Sequence, residues 1–337
     1  MAWYNESGKS FDTVISTRVR LARNVNGYDF YPALDAAAAN EIIEKVSAVL
    51  EPTGFRKINF SDLSPIMATS YVERHYVSPE FVNRETPHAL MLHESSGIAI
   101  MIGEEDHLRI QCILPGTALE SAYQKALEIE RKLDLAFDFS YNETLGYLTH
   151  CPTNLGTGLR ASAMMFLPAL ANDGSMGALA AQLSNIGLTV RGIFGEGSGA
   201  SGCIFQISNQ VSLGITESEI LRRMEEAIQQ ISESERRARK AVSGDAMDRL
   251  TDRILRSVGI LRSAHMISTA EFIQRFADAR LGVSMGIVRD VTCEQLGTLL
   301  VEAMPATLTL SSESTPRTEP ARDQLRAQKI RTVLNAR

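Results

Sequence analysis

Short apolar and β-branched runs, several alternating with polar residues, recur over residues 12–19, 98–101, 108–114, 187–193 and 203–208. That pattern predicts strands. Between them, residues 34–50, with Asp35 as a capping side chain, and residues 119–135 carry apolar positions at helical spacing. Successive strands often lack a full crossover helix, which favours a largely antiparallel sheet over a doubly wound parallel one. After about residue 215 the pattern changes to long charged amphipathic segments. Each opens on a cap signature: Thr216 with Glu219, Ser268 with Glu271, Thr292 with Gln295. Breaks fall near Ser243 and Gly244 and at residues 266–268. Residues 311–320 read as a polar exposed linker, and Pro320 suits the first turn of a last helix ending near Asn335. The expectation is an α+β fold in two domains: a largely antiparallel sheet flanked by helices over residues 1–215, and an all-helical domain over residues 216–337.

Composition narrows the chemistry. A net charge of −6 argues against a general nucleic-acid binder. No apolar run reaches membrane-spanning length and the N-terminal segment lacks a signal-peptide pattern, so a cytoplasmic protein is expected. The four cysteines, Cys112, Cys151, Cys203 and Cys293, form neither a CxxC pair nor a disulfide framework.

Two glycine motifs fail on context. Gly8-Lys9-Ser10 ends like a P-loop, but Trp3 occupies the place of the opening glycine and no strand precedes it. The run at residues 197–202 fits G-x-G-x-x-G but leads into the strand-like CIFQIS rather than a helix. Five arginines in strand-like or glycine-rich settings are more informative: Arg18 and Arg20 in STRVR, Arg109 in EEDHLRIQ, Arg160 in GTGLRA and Arg191 in VRGIFGEG. Alternation puts Arg18 and Arg20 on one face of a strand with Val19 opposite. Guanidinium forks hold phosphate oxygens bidentately and stay charged, so such a set suits a nucleoside triphosphate.

The segments STRVRLARN, EEDHLRIQ, CPTNLGTGLRA and RGIFGEG with FQISNQ lie in the order and spacing of the phosphagen-kinase superfamily, and the chain most closely resembles its bacterial protein-arginine kinase branch. The resemblance implies a phosphagen-kinase-like catalytic domain that uses ATP and Mg²⁺, with no metal ligand from protein side chains. It implies that Arg18, Arg20, Arg109, Arg160 and Arg191 bind the ATP phosphates and that His75 lies near the nucleotide. Ser16, Thr17, Val19, the stretch Ala161, Ser162, Ala163 and Met164, and the stretch Gly192, Ile193, Phe194 and Gly195 would complete the nucleotide site. Glu105 and Glu196 would hold the acceptor guanidinium, with Cys151 beside it. Two carboxylates suit that task, because a guanidinium nitrogen is a poor nucleophile until it is oriented and a proton is removed. The glycines flanking Glu196 suggest a loop that closes over substrate.

Small-substrate phosphagen kinases carry a helical domain before the STRVR-like motif, whereas here that motif begins at Ser16 and helices follow the core instead. An acceptor on a protein side chain is therefore expected, with free arginine or another guanidino compound as the alternative. RDQLRA near the end resembles the RDxxRA motif of the protein-arginine kinases, which places Arg322, Asp323 and Arg326 in an allosteric phosphoarginine site. The resemblance further implies a homodimer, a zinc-binding activator protein and delivery of marked substrates to a Clp protease, with no direct nucleic-acid or membrane partner.

Overall fold

The computed structural model describes residues 2–194, 201–312 and 318–335. Its centre is an eight-stranded sheet of β1 (Val14–Arg23), β2 (Arg56–Asn59), β3 (Ala89–His93), β4 (Ile98–Ile102), β5 (Leu108–Pro115), β8 (Leu159–Phe166), β9 (Leu188–Phe194) and β10 (Ser201–Asn209), with a small separate hairpin of β6 (Tyr141–Asn142) and β7 (Gly146–Tyr147). The strand order is β2-β3-β4-β5-β1-β8-β10-β9, and every described pairing is antiparallel, as the short connections predict. β1 lies at the middle, between β5 and β8.

The alternation in β1 divides the molecule. Val19 and Leu21 face one side and join Ile110, Ala161, Ala163 and Ile207 of neighbouring strands. Against them pack α1 (Ala36–Leu50), α4 (Leu119–Asp134) and α7 (Glu217–Ala241) through Ile42, Val46, Ala122, Leu133, Met224 and Ile228. Burying these side chains supplies roughly 1.5–3 kcal/mol for each large aliphatic group. Although α7 opens the helical half of the sequence, its apolar stripe belongs to the sheet's core.

The other face is covered only toward its ends. Leu90, Leu92 and Met101 meet α2 (Pro65–Glu73) and α3 (Pro79–Val82), and Phe166 and Ile204 meet the C-terminal helices. Those helices are α8 (Asp245–Ser263), α9 (Thr269–Ser284), α10 (Cys293–Glu302), α11 (Pro305–Leu310) and α12 (Glu319–Asn335). A polar strip remains between them. The expected caps are made: Asp35 accepts from Ala38 N, Thr216 from Glu219 N and Ser268 from Glu271 N, while Thr292 and Gln295 form the reciprocal box. Two short helices, α5 (Pro168–Asn172) and α6 (Met176–Asn185), connect β8 to β9.

α7 is pinned by Glu235, which is fully buried, accepts from Ala169 N and Leu170 N at 3.0 Å each, and pairs with Arg239 Nε at 2.6 Å. Replacing it strands both the Arg239 charge and the first N–H groups of α5. Glu235→Ala is expected to cost about 3–5 kcal/mol in urea denaturation; a loss below about 0.5 kcal/mol, the scale of an ordinary surface substitution, would contradict this role.

Candidate active site

Antiparallel register assembles the polar strip. Arg20 of β1 stands opposite Gln111 of β5 and Arg160 of β8, Ala22 opposite Arg109, and Arg18 opposite Ser162. Ser162 in turn faces Ser208 of β10, Met164 faces Gln206, and Gln206 faces Arg191 of β9. Arg18, Arg20, Arg109, Arg160 and Arg191 therefore line one cleft of about 640 Å³, together with His75, Glu105 and Cys151.

Few protein partners neutralise these cations. Arg18 Nη2 donates to Gln206 Oε1 at 3.0 Å and Arg160 Nη2 to Ser208 Oγ at 3.3 Å, both uncharged acceptors. The Nε atoms of Arg20 and Arg160 are buried without a hydrogen-bond partner. Burial, reinforced by Arg109 and Arg160, pushes Arg18 down to about 10. Burial also drives Arg20 well below its ordinary value, with Arg18, Arg109 and Arg160 adding repulsion, and lowers Arg160, where Arg191 and Arg109 repel. An anion with several oxygens would satisfy the orphaned donors and offset the repulsion.

Arg109 is the exception. Its Nη2 lies 2.6 Å from buried Glu104 and 3.4 Å from Glu105. Glu104 also accepts from Ser78 Oγ at 2.9 Å and from Glu105 N at 2.8 Å, so it fixes Arg109 and the backbone of Glu105 together. Glu105 is the more exposed of the two and opens on the cleft.

Cys151 reaches the same end on a braced loop. Asp106 Oδ1 accepts from His150 N at 2.7 Å and from Asn24 Nδ2 at 2.8 Å, while Thr149 Oγ1 donates to the Cys151 carbonyl at 2.9 Å. Cys151 Sγ lies 3.1 Å from Thr153 Oγ1. The glycines that follow are dictated by crowding. Gly156 and Gly158 have φ of +107° and +62°, and a Cβ would sit 2.3 Å from Ser212 O at the first and 2.6 Å from Ala22 O at the second. Asn209 then accepts from Ala161 N and donates to Leu159 O, fixing the strand on either side of Arg160.

Several expected residues have other work. Val19, Ala161 and Ala163 point into the core on the opposite face. Thr17 is buried and its Oγ1 accepts from Ala118 N, capping α4, and the Ala161 N–H is committed to Asn209. Ser16, Ser162 and Met164 lie on the same face as the arginines, around a small void beside the cleft that they share with Trp3, Arg18 and His75. Ile193 lines the cleft, whereas Gly192 and Phe194 belong to β9. Gly195 and Glu196 lie outside the described residues. The largest correction concerns Arg326: it is 1% exposed and donates to Ala303 O at 3.0 Å, Ile267 O at 2.8 Å and Asp323 Oδ1 at 2.5 Å. It anchors α12 and has no free face for a ligand. Arg322 and Asp323 are part-exposed on the same helix.

Glu104, Gln206 and Asp106 are site-building residues that sequence reasoning missed. Period-two alternation carried the signal for one of them, since Gln206 pairs with Ser208 as Arg18 does with Arg20.

Two expectations follow from the electrostatics. Arg20→Met removes a half-buried, partly unpaired cation, so the ligand-free protein should gain about 1–3 kcal/mol while losing the thermal stabilisation that inorganic triphosphate gives the parent; loss of ligand-free stability with triphosphate binding intact would contradict the cradle. His75 is pushed down to about 4 by burial, with Arg18 adding repulsion. An unfolded chain protonates this imidazole below about pH 6.5 while the folded one resists until about 4, so His75 lowers stability progressively as pH falls through that window. His75→Gln should therefore lose less stability than the parent between pH 6.5 and 4, by on the order of 1–3 kcal/mol in acid denaturation; parallel curves would contradict it.

Residues 38–238 match the family model "ATP:guanido phosphotransferase, C-terminal catalytic domain", and residues 247–337 match "Protein-arginine kinase McsB C-terminal domain". Among curated proteins, the protein-arginine kinase of Brevibacillus brevis is 39% identical over 98% of this chain and 94% of its own length, and that of Syntrophomonas wolfei is 39% identical over 99% and 95%. Among solved structures, the substrate-free duplicated taurocyamine kinase from Schistosoma mansoni is 25% identical with a TM-score of 0.60, over 72% of this chain and 37% of that one. Lombricine kinase is 23% identical with a TM-score of 0.60, over 71% of this chain and 70% of its own, and shares the fold. With an arginine-lined cleft on the open face of this sheet and full-length relatives above one-third identity, the chain belongs to the protein-arginine kinases of the ATP:guanido phosphotransferase family.

Proposed function

We propose that this protein transfers the γ-phosphoryl group of ATP to the guanidinium of arginine side chains in proteins. The observation that carries this reading is the row of arginines joined at one end to Glu105 and Cys151. Arg18, Arg20, Arg109, Arg160 and Arg191 bind the triphosphate and spread its negative charge, which is most of what phosphoryl transfer asks of a protein. The unpartnered Nε donors of Arg20 and Arg160 fit phosphate oxygens. A Mg²⁺ ion carried by the nucleotide supplies further charge neutralisation at the β- and γ-oxygens. In this reading the ion's ligands are phosphate oxygens and water.

The acceptor guanidinium enters beside Glu105, whose carboxylate orients it and takes a proton as nitrogen attacks phosphorus. The N–P bond forms as the bond to the β,γ-bridging oxygen breaks, and ADP leaves with the electron pair. Glu196 serves as the second acceptor carboxylate in this reading, and Cys151 tunes the electrostatics around the guanidinium. The catalytic domain expected over residues 1–215 takes in α7 as well, whose apolar stripe packs into the core of the sheet, and the helices from α8 onward act as its companion, with Arg322 and Asp323 receiving phosphoarginine without Arg326. The family likeness also supports a homodimer, a zinc-binding activator and hand-over to a Clp protease. No helix among the described residues is long and apolar enough to cross a membrane.

Incubation with ATP and Mg²⁺ should place acid-labile phosphate on an arginine-rich protein in preference to free arginine. Glu105→Gln should lower kcat by roughly 10²–10⁴-fold with ATP binding retained. Phosphate appearing on free arginine alone, or undiminished turnover in Glu105→Gln, would overturn the reading.

A further inference from the structure

The cleft has two unlike ends. Arg109 reaches Glu105 at the acceptor end, while Arg18, whose charge falls on His75, marks the other. Around His75 the lining turns apolar: Val72 comes from the last turn of α2, Val77 from the connection between α2 and α3, and Leu300 and Met304 from α10 and the turn into α11. Leu300 and Met304 are 3% and 7% exposed. They belong to the C-terminal helices, yet they complete a wall of the cleft whose floor is the sheet.

One carboxylate holds that wall. Glu73, two residues before His75, accepts from Ala306 N at 2.9 Å, and from Thr307 N and Thr307 Oγ1 at 2.7 Å each. These N–H groups are the otherwise unsatisfied donors at the start of α11, and a negative charge there is favoured by the helix dipole. α11 has only six residues and caps itself with no side chain, so Glu73, at the end of the adjacent α2, supplies its cap. On the other side of His75, Trp3 Nε1 donates to Arg74 O at 3.1 Å and its ring meets the imidazole edge-on, with centroids 5.7 Å apart. The turn carrying Trp3 packs closely on α10, since a Cβ on Gly297 would sit 2.3 Å from Tyr4 O.

We propose that the nucleobase of the bound nucleotide lies at this end against Leu300 and Met304, and that Glu73 is the positioning residue that holds them there. The C-terminal helical unit is thereby a structural part of the nucleotide site. This rests on the ATP-dependent reading above. A purine is flat, uncharged and apolar on its faces, and a thioether beside a leucine accommodates such a face. Phosphates, in contrast, stay with the arginines and gain nothing from this wall.

Calorimetric titration of the full chain with ATP and, separately, with inorganic triphosphate distinguishes the two contributions. Met304→Ala and Glu73→Gln should each weaken ATP by about tenfold, on the scale of one lost buried apolar contact, and leave triphosphate affinity within about twofold. In steady-state assays the ATP KM should rise by a similar factor with kcat and the acceptor KM unchanged. Unaltered ATP affinity in both variants, or equal weakening of ATP and triphosphate, would overturn the proposal. Should Met304→Ala fail to fold, Glu73→Gln, which keeps the side-chain length, decides by the same criteria. If the unmodified protein binds neither ligand, the kinase reading itself fails and this proposal falls with it.

Discussion

Everything in this structure turns on holding several guanidinium groups side by side on one face of a sheet. Like charges at such separations repel, and burial removes the water that would screen them. Isolated loops would not keep them together. The antiparallel ladder does, because register locks Arg20 between Gln111 and Arg160 while the intervening Val19 and Ala161 are sealed into the core behind. The core on one face is what stabilises the charge on the other. A slip of one residue in β1 would exchange the two faces and destroy both.

Around that constraint the remaining polar groups divide into two kinds. Some leave the cations incompletely paired: Gln206 and Ser208 offer neutral oxygens to Arg18 and Arg160, so their charge stays available to a ligand. Others fix geometry at the end of the cleft that holds Glu105 and Cys151, where Glu104 clamps Arg109 and Asp106 clamps the loop before Cys151. The C-terminal helices close the far end through Glu73 and α11. Catalytic sheet and helical unit thus share one cleft, although the family models divide the chain between residues 238 and 247.

Much of this was legible in the sequence. The 108–114 and 203–208 strand runs, the Asp35, Thr216, Ser268 and Thr292 caps and the antiparallel sheet follow from periodicity and local hydrogen-bonding chemistry, and the five arginines stood out by their settings. β2, β3 and β8 were not visible as strands, because continuous apolar runs and glycine-flanked segments carry no period that separates them from other structure. Single positions were harder still. Thr17 and Arg326 sit inside functional motifs, yet their side chains serve α4 and the carbonyls of Ala303 and Ile267, contacts that span long sequence separations. Glu73 carried no local signal, since its partners are more than 200 residues away.

The central claim is that the arginine face of the sheet is a triphosphate site aimed at Glu105. A crystal structure with a non-hydrolysable ATP analogue and Mg²⁺ tests it most directly. The account predicts the three phosphates among Arg18, Arg20, Arg109 and Arg160, with the γ-phosphate nearest Glu105 and Cys151. A nucleotide bound elsewhere, or with its γ-phosphate turned toward His75, would contradict it.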